Sequence, residues 1–121
     1  SALRFNLSHS GGRALIALAE GVEVGIDVER TDRRSRAIER TLTEGERAAL
    51  HARDRHRALL QVWCRKEALA KAIGGGLGWA PETFDTTRPG GYALADLELG
   101  DGYVAAIAVA APTAEVVLYE L

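Results

Sequence analysis

The sequence predicts an α+β fold in which helices pack on a mainly antiparallel sheet. Three observations carry this. Apolar segments of strand length gather at both ends of the chain, one long stretch in the middle has helical periodicity, and Gly, Asp or Pro turns separate the segments. With 121 residues the chain fits one domain, 1–121, large enough to bury a real core.

The elements follow in order. Residues 3–7, "LRFNL", alternate like a short strand, and "SHSGG" reads as the polar turn after it. "RALIALAE" and "VEVGIDVE" flank Glu20-Gly21 and predict a hairpin, with apolar residues so continuous that a sheet covered on both faces is expected. The segment from Arg30 to Arg40 is charged and irregular. Thr43 with Glu46 three residues on forms a capping box that opens a short helix. The strongest helix spans about Asp54 to Ile73, with Leu59, Val62, Trp63, Leu69, Ala70 and Ile73 as its apolar side and "GGG" at 74–76 as its stop. "GYALADLEL", "YVAAIAVAA" and "AEVVLYEL" predict three closing strands. Because the chain opens inside a strand-like segment, it is expected to be a piece of something larger.

Composition excludes several classes of function. Fifteen basic against seventeen acidic residues leave a net charge of −2, so nothing global favours nucleic acid. No apolar run is long enough to span a bilayer and no signal peptide is evident, so no membrane role is expected. Cys64 is the sole cysteine, which rules out an intramolecular disulfide and a cysteine metal site and suits a cytoplasmic setting. Arginines cluster between positions 30 and 57, either as a solvated helix surface or as a patch for an acidic partner. His51 and His56 sit in those stretches without a partner pattern and read as surface residues.

The chemistry concentrates in three places. In "EVGIDVER", strand alternation points Asp27 and Glu29 the same way, about 6–7 Å apart, so a positive group is expected above them. In "WCRKEALAK", Trp63, Glu67 and Lys71 follow at i, i+4 and i+8 along one edge of the buried stripe, with Lys66 on the inner side. Glu67 either pairs with Lys71 as a surface bridge or converges with Asp27 and Glu29 on a divalent ion while Lys66 and Lys71 face phosphates. Three hard carboxylates suit Mg²⁺, whose shell is commonly shared with substrate phosphates. In "NLSHSGG", His9 lies in a turn whose backbone N–H groups at Ser10, Gly11 and Gly12 could cradle an anion; a turn histidine capping backbone is the alternative.

"FNLSHSGG", "GIDVE" and "WCRKEALAKAIGGGL", in this order, resemble the Sfp-type 4′-phosphopantetheinyl transferases, over most of the chain from Phe5 onward. The resemblance implies a 4′-phosphopantetheinyl transferase lobe that moves the phosphopantetheine arm of coenzyme A to a serine of an apo acyl or peptidyl carrier protein. Adenosine 3′,5′-bisphosphate is then the other product. It implies Asp27, Glu29 and Glu67 as Mg²⁺ ligands, Asp27 also serving the bound coenzyme A. It implies His9 with Ser8 at the 3′-phosphate, Lys66 and Lys71 as the motif lysines, and Glu67 with Lys71 as the catalytic pair, Glu67 being the candidate base. Glu46 occupies the place of another acid of the family, and Trp63 packs beside the site. Enzymes of this type are usually about twice as long and have two lobes. The chain resembles the second lobe with its connecting strand, so a first lobe or another copy of the chain is expected to complete the site. Arg33, Arg34 and Arg36 would meet the acidic helix of a carrier domain. Two rival expectations are a non-catalytic lobe that binds carrier protein or pairs with the missing lobe, and a different Mg²⁺–nucleotide enzyme such as a pyrophosphatase.

Overall fold

The computed structural model of the chain describes residues 2–34, 36–50, 52–74 and 83–120. Its elements are β1 (Leu3–Ser10), β2 (Arg13–Glu20), β3 (Val24–Arg30), α1 (Arg36–Arg40), α2 (Glu44–Ala48), α3 (Arg55–Ile73), β4 (Ala93–Leu97) and β5 (Tyr103–Val109). The α+β expectation holds: every strand pairing is antiparallel, and helices cover one face of the larger sheet.

The expected hairpin is corrected. β2 pairs with β1, not β3, in register Phe5↔Leu18 and Leu7↔Ile16, and β3 belongs to a separate sheet of order β3-β5-β4. The tight Gly11-Gly12 turn decides this. Gly11 takes φ +55, and a Cβ there would lie 2.6 Å from Cδ of Arg30. β1 therefore runs on through Ser10, so His9 lies in a strand instead of a turn, and the N–H of Gly12 donates to the Tyr103 hydroxyl at 3.2 Å.

The hairpin lies face-on against β3, and polar side chains make the junction. Oδ1 of Asn6 accepts from the Ile26 N–H (2.9 Å), Oγ of Ser8 from the Val28 N–H (3.1 Å) and Oγ of Ser10 from the Arg30 N–H (3.2 Å). These are alternate residues of one strand satisfying alternate donors along the open edge of another, which protects that edge from foreign pairing. The opposite face of the hairpin, expected to be covered, carries exposed Leu3, Phe5, Leu7, Ile16 and Leu18.

β3 is buried along Val24–Val28 between two cores. Val24, Ile26 and Val28 pack with Ala17, Leu97 and Ile107 under the hairpin. On the other face, α3 lays Leu60, Cys64, Ala68 and Ala72 on Val104, Ala106 and Ala108. Small residues at i, i+4 spacing let this helix sit close, and Gly25 lets it sit closest. A Cβ on Gly25 would fall 1.9 Å from the Ala68 carbonyl oxygen and 2.6 Å from the Ala72 nitrogen, both backbone atoms. Gly25→Ala is therefore expected to push α3 off the sheet at a cost of about 2–3 kcal/mol or more, read as a thermal midpoint roughly 10 °C lower. An unchanged midpoint would contradict this packing.

The capping box is present as expected, with Thr43 as N-cap of α2. Asp54 caps α3 through the Arg57 N–H, and Gly74 ends it at φ +81. Ile73, expected on the apolar side, is 42% exposed, while Lys66 is fully buried. The Arg30–Arg40 stretch is not wholly irregular, because α1 forms around buried Ile38. His56 is half-buried, its Nε2 lying 3.0 Å from the Thr31 carbonyl oxygen. "AEVVLYEL" forms no strand over 114–120. His51, Gly75 and Gly76 lie outside the described residues.

Candidate functional site

β3 and α3 bring the predicted acids together. Gly25, Asp27 and Glu29 alternate toward α3, and Glu67 projects from the facing edge of that helix between Trp63 and Lys71. Asp27 is 7% exposed. Its Oδ1 accepts from the Ser8 hydroxyl at 3.3 Å and lies 3.7 Å from Nζ of Lys71, while its Oδ2 is buried without a hydrogen-bond partner. Burial pushes the Asp27 carboxyl up to about 7 against the pull of Lys71, and Glu29 and Glu67 add to the rise. Burial also raises Glu67, with Glu29 adding and Lys71 and Arg33 opposing. The three carboxylates therefore feel one another across the strand–helix junction, and one member keeps an orphaned oxygen. This donor set suits a hard divalent cation.

The three are not already gathered in ligand geometry. Among the described residues no group of three or more His, Cys, Asp or Glu side chains stands ready to hold a metal ion. Glu29 is the member turned aside: its Oε1 meets Nη1 of Arg33 at 2.5 Å, and the Arg33 guanidinium lies 5.8 Å over the Trp63 ring. Arg33, one of the three arginines expected to meet a carrier domain, faces the acids.

Lys71 reaches the site but is tied down. Its Nζ donates to the Ile26 carbonyl at 2.8 Å and the Leu7 carbonyl at 3.3 Å, so it joins α3, β3 and β1 beside Asp27. Lys66 is a correction. Expected to face phosphates, it is 0% exposed and pairs with Glu46 at 2.6 Å, also donating to the Phe84 carbonyl. Glu46 is equally buried. Its Oε1 accepts from the Thr43 N–H and its Oε2 from the Thr86 N–H and hydroxyl, so the acid that closes the capping box also neutralises Lys66. A lysine in such a cage presents no ammonium to a ligand.

Ser8 and His9 part company. Alternation buries Ser8 against Asp27 and Val28, where it orients the carboxylate, and turns His9 out onto the exposed face with Phe5 and Leu7. Sequence reasoning missed Asn6, Ser10 and the positioning role of Ser8; the signal was the polar i, i+2, i+4 pattern in "FNLSHS". A wide apolar groove of about 1080 Å³ runs between β2 and residues 114–120, but Ile26 and Ile107 line it, which puts it on the sheet face opposite the acids. Among the described residues no helix is long and apolar enough to cross a membrane.

The family model of the 4′-phosphopantetheinyl transferase superfamily matches residues 23–108, from β3 through β5. The 4′-phosphopantetheinyl transferase AcpT of Salmonella typhi is 35% identical over 118 residues, covering 92% of the chain and 59% of the relative. The AcpT of Escherichia coli strain K12 is 33% identical over 119 residues, with coverages of 92% and 58%. The L-aminoadipate-semialdehyde dehydrogenase-phosphopantetheinyl transferase of Xenopus laevis is 33% identical over 87 residues, 62% of the chain and 29% of that protein. The chain thus spans under two thirds of the length of the AcpT relatives it matches.

Proposed function

Because this chain belongs to the 4′-phosphopantetheinyl transferase superfamily, we propose that it is the metal-bearing part of an enzyme that transfers the phosphopantetheine arm of coenzyme A to a serine of an apo carrier protein. The observation that carries this reading is the buried, unpartnered Oδ2 of Asp27 beside Glu29 and Glu67. Those three residues would hold Mg²⁺, which supplies Lewis-acid polarisation of a pyrophosphate phosphorus when bound. Ser8 fixes the Asp27 carboxylate, and Lys71 holds β1 against β3 so that the acids stay aligned. Glu67, half-buried at the same junction with its carboxyl raised by burial in the metal-free fold, would be the base for the carrier serine. His9, exposed on the outer face of the hairpin, would meet an anionic group of the ligand.

The same face bears on how the enzyme is completed. Leu3, Phe5, Leu7, Ile16 and Leu18 make an apolar surface of the kind that a second body covers. In this reading that body is a first lobe or another copy of the chain. The setting is cytoplasmic, in line with a lone cysteine whose thiol burial pushes far up and leaves inert.

Incubation of an apo carrier protein with coenzyme A, Mg²⁺ and the chain, followed by intact mass spectrometry, tests the proposal. A gain of one phosphopantetheine is expected. No gain, even with the remaining portion of the enzyme supplied, removes the catalytic reading and favours a lobe that binds without turnover.

A further inference from the structure

Two cations serve the acids, and they are held very differently. Lys71 is tied to two backbone carbonyls from two strands, so it cannot leave without loosening the hairpin from the sheet. Arg33 is held by one carboxylate and the face of one ring, in the segment just after β3, and its side chain is 41% exposed. Glu29, by contrast, is only 15% exposed and faces the same junction as Asp27 and Glu67. Arg33 also opposes the rise in Glu67, so its charge reaches two of the three acids.

We propose that Arg33 is an internal counterion that competes with the divalent cation for Glu29, and that metal binding swings its guanidinium off Glu29 and off the Trp63 ring. The inference rests on the reading of Asp27, Glu29 and Glu67 as metal ligands. It follows from Coulomb's law at close range: one carboxylate oxygen cannot serve a guanidinium and a dication equally, and the singly charged, more exposed cation is the one that yields. Pairing with Arg33 thereby offsets part of the charge that Glu29 turns on its two neighbours while no metal is bound. The freed guanidinium would be delivered to the mouth of the site, where a phosphate-bearing ligand would meet it.

Magnesium titrations of the 121-residue chain by calorimetry, at fixed ionic strength, test this alongside Trp63 emission in a Trp79→Phe background. Arg33→Ala is expected to bind Mg²⁺ about three- to tenfold more tightly than the parent. Arg33→Lys, which keeps charge but loses the planar fork and the ring contact, is expected to fall between, and it decides the matter should the alanine variant fold poorly. Mg²⁺ is expected to change Trp63 emission in the parent and not in Arg33→Ala. With Glu29→Gln added to both proteins, the affinity difference that Arg33→Ala makes is expected to vanish. Equal or weaker Mg²⁺ binding by Arg33→Ala overturns the counterion role while leaving the metal site standing. Failure of every protein to bind Mg²⁺ overturns the metal site and the counterion role together.

Discussion

At pH 8, Asp27→Asn is expected to raise the thermal midpoint of the metal-free chain and, with Mg²⁺ present, to lower transferase turnover by a hundredfold or more. The sign follows from the Asp27 carboxyl, raised from 3.8 to about 7 in the fold. A raised acid gives its full stabilisation below its unfolded value, near pH 4, and loses it as pH rises through its folded value near 7. The ionised carboxylate therefore burdens the metal-free fold at pH 8, by up to ~4 kcal/mol for a shift of this size. The gain on substitution is smaller, about 1–3 kcal/mol, because the amide nitrogen inherits the unpartnered position and Lys71 loses a partner. That is roughly 4–12 °C for a domain of this size. At pH 4 the parent carboxyl is protonated in the fold, so the gain is lost, the cost of the amide remains, and Asp27→Asn is expected to be the less stable protein. Mg²⁺ is expected to stabilise the parent by mass action and to leave Asp27→Asn unmoved. Thermal scans at pH 4 and pH 8, with and without Mg²⁺, read the stability differences, and intact mass spectrometry of the carrier protein reads the turnover. A midpoint that falls at pH 8 would make Asp27 a structural residue.

Lys66→Met is expected to do the opposite: it should unfold the chain without touching the acids of the site. Removing one partner of a fully buried ion pair strands the other, at about 3–5 kcal/mol. Glu46→Ala is expected to cost more than Lys66→Met, since it also abandons the Thr43 N–H, the Thr86 N–H and the Thr86 hydroxyl. Burial alone would raise Glu46, but hydrogen bonds from Lys66, Thr86 and Thr43 hold it below the usual carboxylate range. Its stabilisation is therefore present above the unfolded value and is lost as pH falls through the folded one. Glu46 weakens the fold on the acid side and Asp27 on the alkaline side, which places the metal-free optimum between them. Urea denaturation of both variants measures the order, and a Glu46→Ala protein as stable as the parent would contradict it.

Most elements could be read from local signals. α3 lies where its Asp54 cap and Gly74 stop place it, and β2 matches "RALIALAE" residue for residue, since caps and alternation are short-range physics. Strand pairing is a long-range choice, and the apolar runs of β2 and β3 drew attention to Glu20-Gly21, although Gly11-Gly12, two glycines between two strand runs, is the stronger local hairpin signal. Coverage was misjudged for a related reason: the outer residues Phe5, Leu7, Ile16 and Leu18 are as apolar as core residues but face outward. At the site, the Asp27–Glu29 pairing and the Trp63–Glu67–Lys71 stripe were legible from periods of 2 and 3.6. Lys66 could be read as inward-facing, but its partner sits twenty residues earlier in a capping box that already explained Glu46. Arg33 was one arginine in a charged run, and only the fold turns it back onto Glu29.

A crystal of the chain grown with Mn²⁺ in place of Mg²⁺, examined by anomalous scattering, bears most directly on the claim that Asp27, Glu29 and Glu67 share one hard cation. The expected result is a single peak between β3 and α3, within about 2.0–2.3 Å of an oxygen from each of the three carboxylates, with Arg33 displaced from Glu29. No peak at that junction at saturating Mn²⁺, or a peak elsewhere with Glu29 still on Arg33, would contradict it.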